Sequence, residues 1–323
     1  MNKSIIPWVG GKSKLMWIIN LLAPKYYERS IDVFGGSGTV TLNLDCRKST
    51  LRIYNDFNND LYNLMYCAKE RTVEFLKELM YAPINSRENF EYCKKVVARD
   101  DSIKINRELQ VQIIKTIFDE EQAEEIIKLY LLNKDDDILR ASAYYQLLRY
   151  SFNSNADTFG GKKCNISNFE DDIKLFSRNF ADVTIENKDF EKLIKQYDRP
   201  NAFIYCDPPY YNAEDFYAVG FAKENHERLR DTLLNTQGYV MVSYNNSDEI
   251  KELYKDFFIF LTTRPHSMSH TEGELYEELI ITNYKPTKLS ETRIIQYNLF
   301  GEEYGETTGD YELIHTPEKP LKN

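Results

Sequence analysis

Residues 31–56 constrain the fold more than any other stretch of the chain. Ser30-Ile31-Asp32-Val33-Phe34 is short and β-rich, and Gly35-Gly36-Ser37-Gly38 is a turn. Thr39–Asp45 starts a helix, and Leu51-Arg52-Ile53-Tyr54 is a second strand closed by Asn55-Asp56. A strand, a glycine turn, a helix and a strand in so short a run make a βαβ unit. Glycines in such a turn let a ligand approach the backbone, and the helix N-terminus adds donors and a positive dipole. Asp56 then stands where a carboxylate can accept both hydroxyls of a ribose. The pair suggests a nucleoside-containing cofactor. A glycine-rich strand–helix turn also occurs as a purely structural connection, and the GxGxxG spacing of dinucleotide binders is absent.

Alternating α/β pattern returns late in the chain. Val183-Thr184-Ile185 and Ala202-Phe203-Ile204-Tyr205 read as strands, followed by a helix over Glu224–Asn235 and a strand over Tyr239–Tyr244. A helix over Asp248–Tyr254 and strands over Phe257–Thr262 and Glu278–Tyr284 complete the series. Residues 59–140 instead carry helical periodicity, as at Leu61, Leu64 and Met65. Residues 149–168 are polar and aromatic and read as a hairpin or loop. Beyond Pro286 the chain is acidic and irregular, which predicts a loosely attached tail. The simplest organisation is one α/β domain, 1–58 and 180–286, with a second domain, 59–179, inserted into it and a tail over 287–323.

The apolar run Leu15–Leu22 is interrupted by Asn20. A bilayer span needs about 20 apolar residues, so no transmembrane helix is expected, and no signal peptide is expected ahead of motifs that begin at Pro7. Five scattered cysteines without a CxxC pair argue against a structural zinc or a disulfide framework. A cytoplasmic protein with reduced thiols fits. The net charge of −10 argues weakly against nucleic acid as a partner, but it is uneven. Residues 1–30 hold five basic side chains against one acidic, and residues 100–137 hold five basic against eleven acidic.

Tyr205-Cys206-Asp207-Pro208-Pro209-Tyr210 is the sharpest signal. The residue before a proline is pushed to extended geometry, so Asp207 and Pro208 continue rigidly off a strand end. Each proline removes an N–H. What remains is a fixed turn rich in acceptors, the Asp207 carboxylate and the Pro208 carbonyl, beside the flat face of Tyr210. That set suits an exocyclic amino group on a flat base. Trp8-Val9-Gly10-Gly11-Lys12-Ser13 is not a P-loop, since Ile6 stands where the pattern needs glycine. It can be a lid over a ligand bearing a carboxylate, or a surface turn. His266 and His270 are four apart in a loop with no third ligand in view, so no metal site is expected. Cys206 reads as a small buried filler, and the acidic residues Asp119–Glu125 and Asp135-Asp136-Asp137 as a solvated helix face and cap.

Three of these segments, in this order, resemble the Dam-type (D12 class, α group) adenine-N6-specific DNA methyltransferases. Trp8-Val9-Gly10-Gly11-Lys12 resembles their WxGGK motif, Phe34-Gly35-Gly36-Ser37-Gly38 their FxGxG motif, and Asp207-Pro208-Pro209-Tyr210 their DPPY motif. NPPY would have pointed to adenine in ribosomal RNA, and SPPW to N4 of cytosine. The resemblance runs from about residue 5 to Pro286. It implies a Rossmann-like methyltransferase sheet with an inserted, mostly helical target-recognition domain.

The resemblance also implies roles. S-Adenosyl-L-methionine would be bound by Trp8, Gly10, Gly11, Lys12, Asp32, Phe34, Gly36, Ser37, Gly38 and Asp56, with Lys12 near its carboxylate. Asp207, Pro208, Pro209 and Tyr210 would form the catalytic turn, with Asp207 touching both cofactor and target amino group. No metal is implied. Arg149-Tyr150-Ser151-Phe152-Asn153 resembles the family's DNA-contacting hairpin, with Arg149 on phosphate and Phe152 and Asn153 beside the flipped base. Lys162 and Lys163 would join the DNA face, with Lys3, Lys14 and Arg178. The partner implied is double-stranded DNA with a short recognition site, bound by a monomer or weak dimer. The family usually has a Lys just before the WxGGK tryptophan that helps read GATC. Pro7 stands there in this chain, so the resemblance does not carry GATC over. A non-catalytic nucleotide- or DNA-binding module is the rival from another class, and the intact Asp207 and Tyr210 argue against it.

Overall fold

A computed structural model describes residues 2–8, 10–81, 86–100, 111–132, 135–161, 166–211, 221–265, 275–286 and 311–322. The chain forms two compact units, one of Met1–Asn2, Lys12–Asn58 and Asp182–Asn323, the other of Lys3–Gly11 and Asn59–Ala181. From the N-terminus, a 3-10 turn (Lys12–Leu15), α1 (Met16–Leu22), β1 (Arg29–Asp32), α2 (Thr39–Asn43) and β2 (Leu51–Asn55) belong to the first unit. The second unit holds α3 (Asn59–Glu70), α4 (Thr72–Tyr81), α5 (Arg87–Val97), α6 (111–117), α7 (Glu120–Leu132), α8 (Asp135–Tyr150), a 3-10 turn (Phe152–Ser154) and α9 (Ile166–Asn179). The chain then returns to the first unit with β3 (Val183–Glu186), α10 (Phe190–Tyr197), β4 (Ala202–Cys206), α11 (Lys223–Leu234), β5 (Tyr239–Asn245) and α12 (Asp248–Leu253). It ends with β6 (Phe258–Pro265), β7 (Leu275–Thr282) and β8 (Tyr311–His315).

The eight strands form one sheet in the order β3-β2-β1-β4-β5-β7-β6-β8. β1 to β5 are parallel, while β7 runs antiparallel to both β5 and β6. This is the Rossmann-like methyltransferase sheet. The order reverses between β1 and β4, so their C-terminal ends flank a crevice where ligands of open α/β sheets bind. All five residues of β4 are buried, as expected of a parallel strand covered on both faces. Successive side chains alternate: Phe203 and Tyr205 pack with Ile18, Ile19 and Leu22 of α1, and Ala202, Ile204 and Cys206 pack with Leu193 of α10 and Leu229 of α11.

The turn after β1 requires its glycines at two points. A Cβ on Gly35 would lie 2.2 Å from the ring of Tyr54, which is fully buried and donates its hydroxyl to the Gly36 carbonyl at 2.7 Å. Gly38, which caps α2, has φ of +72°, a backbone region that costs other residues about 1–2 kcal/mol.

Three features depart from the sequence reading. The segment after residue 286 is not only a loose tail, because Tyr311–His315 pairs antiparallel with β6. An edge strand offers unpaired N–H and C=O groups, and β8 covers those of Ile259–Thr262 on β6. Tyr311 packs on Trp17 and Phe260, and Lys322 Nζ donates to the carbonyls of Pro200 and Gln237 at 2.8 and 2.7 Å. α10 has no counterpart in the sequence reading; Asp189 caps it by accepting from the Glu191 N–H. Arg149 and Tyr150 finish α8 instead of opening a hairpin, and the reversal comes later, where Ser151 bridges Phe159. Among the described residues no helix is long and apolar enough to cross a membrane. Cys46, Cys67, Cys93 and Cys206 are free thiols, and Cys164 lies outside the described residues.

Candidate active site

The turn leaving β4 carries the densest buried chemistry of the first unit. Lys12 Nζ lies 2.8 Å from Asp207 Oδ1. It also donates to the Tyr210 hydroxyl at 3.1 Å and sits 5.0 Å from the centre of that ring. Ser243 on β5 donates its hydroxyl to the same Asp207 Oδ1 at 2.9 Å, and Tyr205 on β4 meets the Ser243 hydroxyl at 2.8 Å. Lys12 is only 4% exposed. Burial works against its charge, but Asp207, Tyr210 and Glu278 outweigh that and hold its pKa well above the usual lysine range. Burial raises the Asp207 carboxyl, and Lys12 and Ser243 pull it back. Lys12 therefore has a carboxylate partner inside the chain, and it is the residue that the sequence reading assigned to the cofactor carboxylate.

The glycine turn after β1 is tied to the end of β2. Asp56 Oδ2 accepts from the Gly36 N–H at 2.9 Å, and its Oδ1 accepts from the Asn58 N–H at 2.9 Å. A carboxylate offers about four acceptor positions, so each oxygen keeps one for a ribose hydroxyl. Burial pushes Asp56 up to about 6. Phe57, the next residue, is 57% exposed, a flat apolar face beside that carboxylate. Its signal in the sequence was an aromatic directly after the acid at a strand end. This donor and acceptor set fits a nucleoside group. Asp32 turns its carboxylate to α2, accepting from the Thr41 hydroxyl at 2.7 Å and N–H at 3.2 Å. Burial raises it to about 7, with Asp207 and Asp56 adding to the rise. Phe34 packs with Phe190 and Phe221, ring centres 5.9 and 5.7 Å away, and Ser37 shares a 2.8 Å hydrogen bond with Thr39.

The second unit holds the remaining candidates. Trp8, Gly10 and Gly11 form a turn in which the Gly11 N–H donates to the Trp8 carbonyl at 3.3 Å and Gly10 has φ of +76°. Arg149 is already engaged: it donates to the Ile5 carbonyl at 2.7 Å, lies 3.7 Å from Asp172 and covers the Tyr145 ring at 5.1 Å. Phe152 is 59% exposed, at the start of the short helix that contains Asn153. Lys162, Lys163, His266 and His270 lie outside the described residues.

A family model described as "D12 class N6 adenine-specific DNA methyltransferase" matches residues 8–268. The chain belongs to this family. As a D12-class enzyme it methylates the N6 amino group of adenine in DNA. Among curated relatives, it is 29% identical over 290 residues to the type II methyltransferase M1.LlaDCHI of Lactococcus lactis subsp. cremoris, covering 86% of this chain and 94% of that protein. It is 28% identical over 154 residues to the type II methyltransferase M.CviBI of Paramecium bursaria Chlorella virus NC1A, 45% of this chain and 58% of that one. It is 26% identical over 213 residues to the DNA adenine methylase of Haemophilus influenzae, 65% of this chain and 64% of that one.

In this D12-class chain, three residues at the site carried no signal of their own in the sequence. Ser243 and Tyr205 sit mid-strand, where a Ser or Tyr reads as filler. Glu278 on β7 is fully buried and adds a negative charge facing Lys12, Asp207 and Tyr210. Among the described residues there is no group of three metal-ligating side chains.

Proposed function

We propose that this chain moves a methyl group from S-adenosyl-L-methionine to N6 of an adenine flipped out of double-stranded DNA at a short recognition site. The observation that carries the reading is the Asp207 carboxylate at the end of β4. Its Oδ1 is saturated by Lys12 and Ser243, and its Oδ2 takes no hydrogen bond among the described residues. The adenine N6 lone pair is delocalised into the ring, which makes the nitrogen a poor nucleophile. Accepting its two protons at Asp207 Oδ2 and the Pro208 carbonyl favours a pyramidal nitrogen with a localised lone pair. Pro209 keeps the turn rigid, and Tyr210 offers a face for the base, worth about 1–3 kcal/mol against a flipping cost of a few kcal/mol. S-Adenosyl-L-methionine supplies the electrophilic methyl group, so in-line placement is what the protein must add. Asp56, Gly36, Ser37, Gly38, Phe34, Asp32 and Lys12, all of the first unit, are the residues we assign to holding it. No metal enters this scheme. Two relatives are named type II methyltransferases, which favours the modification half of a restriction–modification pair acting in the cytoplasm as a monomer or weak dimer. Transfer of labelled methyl from the cofactor to duplex DNA, with N6-methyladenine as product, is the expected result; product on RNA alone would overturn the reading.

Asp56→Ala should raise the cofactor dissociation constant at least about tenfold, because charge-assisted hydrogen bonds are worth about 1.5–3 kcal/mol each. The sign with pH follows from a carboxyl that titrates at about 6. As pH falls through that value Asp56 gains a proton and loses an acceptor, so the wild-type affinity should fall below pH 6 and be flat above 7. Asp56→Asn should lack that step. Calorimetry between pH 5 and 8 checks both.

In the second unit, Arg149 makes one strong backbone hydrogen bond, to Ile5, and is 26% exposed, so it can also meet a phosphate. Arg149→Ala should weaken binding to all DNA sequences alike and lower the salt slope by about one. Phe152→Ala should reduce the 2-aminopurine fluorescence that reports flipping at the target position, with DNA affinity changed less than about threefold. Unchanged fluorescence would remove Phe152 from the flipping step.

A further inference from the structure

β4 and β5 are parallel neighbours with Cys206 paired to Val242, so the next residues, Asp207 and Ser243, emerge side by side. Ser243 is fully buried and Tyr205 is 1% exposed. An ionised carboxylate only accepts hydrogen bonds, so the single Ser243 proton goes to Asp207 Oδ1. The Ser243 oxygen must then accept at its 2.8 Å contact with Tyr205. The chain has one direction: Tyr205 hydroxyl to Ser243 hydroxyl to Asp207 Oδ1. Chained hydrogen bonds polarise and strengthen one another. Lys12 donates to the same oxygen from the opposite end of the sequence. Two donors fill the lone pairs of Oδ1.

We infer that Ser243, oriented by Tyr205, is a positioning residue for methyl transfer: together with Lys12 it locks Oδ1 and so leaves Oδ2 as the oxygen presented to the adenine amino group. Without Ser243 the carboxylate is held at Oδ1 by Lys12 alone. It can turn about its Cβ–Cγ bond and let Lys12 bridge both oxygens, and the acceptor for the amino proton is then lost part of the time. Tyr205 acts one step further back, through the orientation of the Ser243 proton. The inference rests on Asp207 as the amino-group acceptor.

The test is single-turnover methyl transfer by the full chain, with cofactor and duplex DNA both saturating, alongside their dissociation constants. Ser243→Ala should slow transfer about ten- to a hundredfold, the size of one lost hydrogen bond to a charged group, with both dissociation constants within about twofold of wild type. Tyr205→Phe should slow it several-fold and add nothing on the Ser243→Ala background, because the two act through one chain. A Ser243→Ala protein with wild-type circular dichroism and a wild-type rate would overturn the inference. So would a loss that lies in cofactor binding, or full additivity with Tyr205→Phe. If Asp207→Ala itself retains activity, the acceptor assignment fails; if Asp207→Ala is inactive and Ser243→Ala is not impaired, the positioning role alone fails.

Discussion

Asp207→Ala is expected to lower methyl transfer at least about a hundred- to a thousandfold while the chain stays folded. Removing one preorganised group that acts on charge in a transition state typically costs that much. Asp207 offers the one carboxylate oxygen we assign to the target nitrogen, and the Pro208 carbonyl alone cannot accept both amino protons. The substitution leaves Lys12 with Tyr210 and with the charge of Glu278 nearby, so its ammonium keeps a favourable environment and the sheet around β4 is untouched. Labelled-methyl incorporation into duplex DNA, with circular dichroism as the fold control, measures the effect. A folded variant at near wild-type rate would show that Asp207 does not hold the amino group.

Lys12→Ala should have the largest effect on stability. Lys12 is the buried cation paired with Asp207, and it also feels the charge of Glu278. Breaking a buried ion pair by removing one partner typically costs about 3–5 kcal/mol, because the other charge is left unpaired. The pH dependence has a definite sign. Without the cation, burial and the neighbouring carboxylate raise the folded-state pKa of Asp207 further above its unfolded value. A carboxyl with a raised folded pKa favours the fold while protonated, and that contribution is lost as pH rises through the folded pKa. The deficit relative to wild type should therefore be larger at pH 8 than at pH 5. Urea midpoints at the two pH values report it. An equal deficit at both would mean that Lys12 contributes packing and not charge. Methylation should fall as well, since Lys12 is one of the two groups on Asp207 Oδ1.

What could be read before folding was local. The glycine turn at 35–38 and the rigid turn Asp207–Tyr210 are written in adjacent residues, because backbone rules act over a few positions: glycine where φ is positive, proline where φ is fixed. The strands β1, β2, β4 and β5 came out within a few residues of their bounds: β4, buried along its whole length, is a continuous apolar run, and β1 and β2 are marked by the glycine turn and the Asn55-Asp56 stop that end them. β8 was hidden because five alternating residues in an acidic segment carry little signal until an open sheet edge is there to receive them. α10 was missed for a similar reason: eight residues are short for a periodic pattern, and its apolar side is settled by packing on β4.

The sequence by itself determined the family, the turn chemistry and the acid that follows β2. Only the tertiary structure decided which groups act on one another. Lys12 and Tyr210 are 198 positions apart, and Ser243 is 36 from Asp207. No periodicity connects such residues. Parallel pairing of β4 with β5 sets Ser243 beside Asp207, and antiparallel pairing of β5 with β7 beyond it buries Glu278 near Lys12. Burial then makes each neighbour matter, because in a low-dielectric interior a carboxylate must find its donors within the chain.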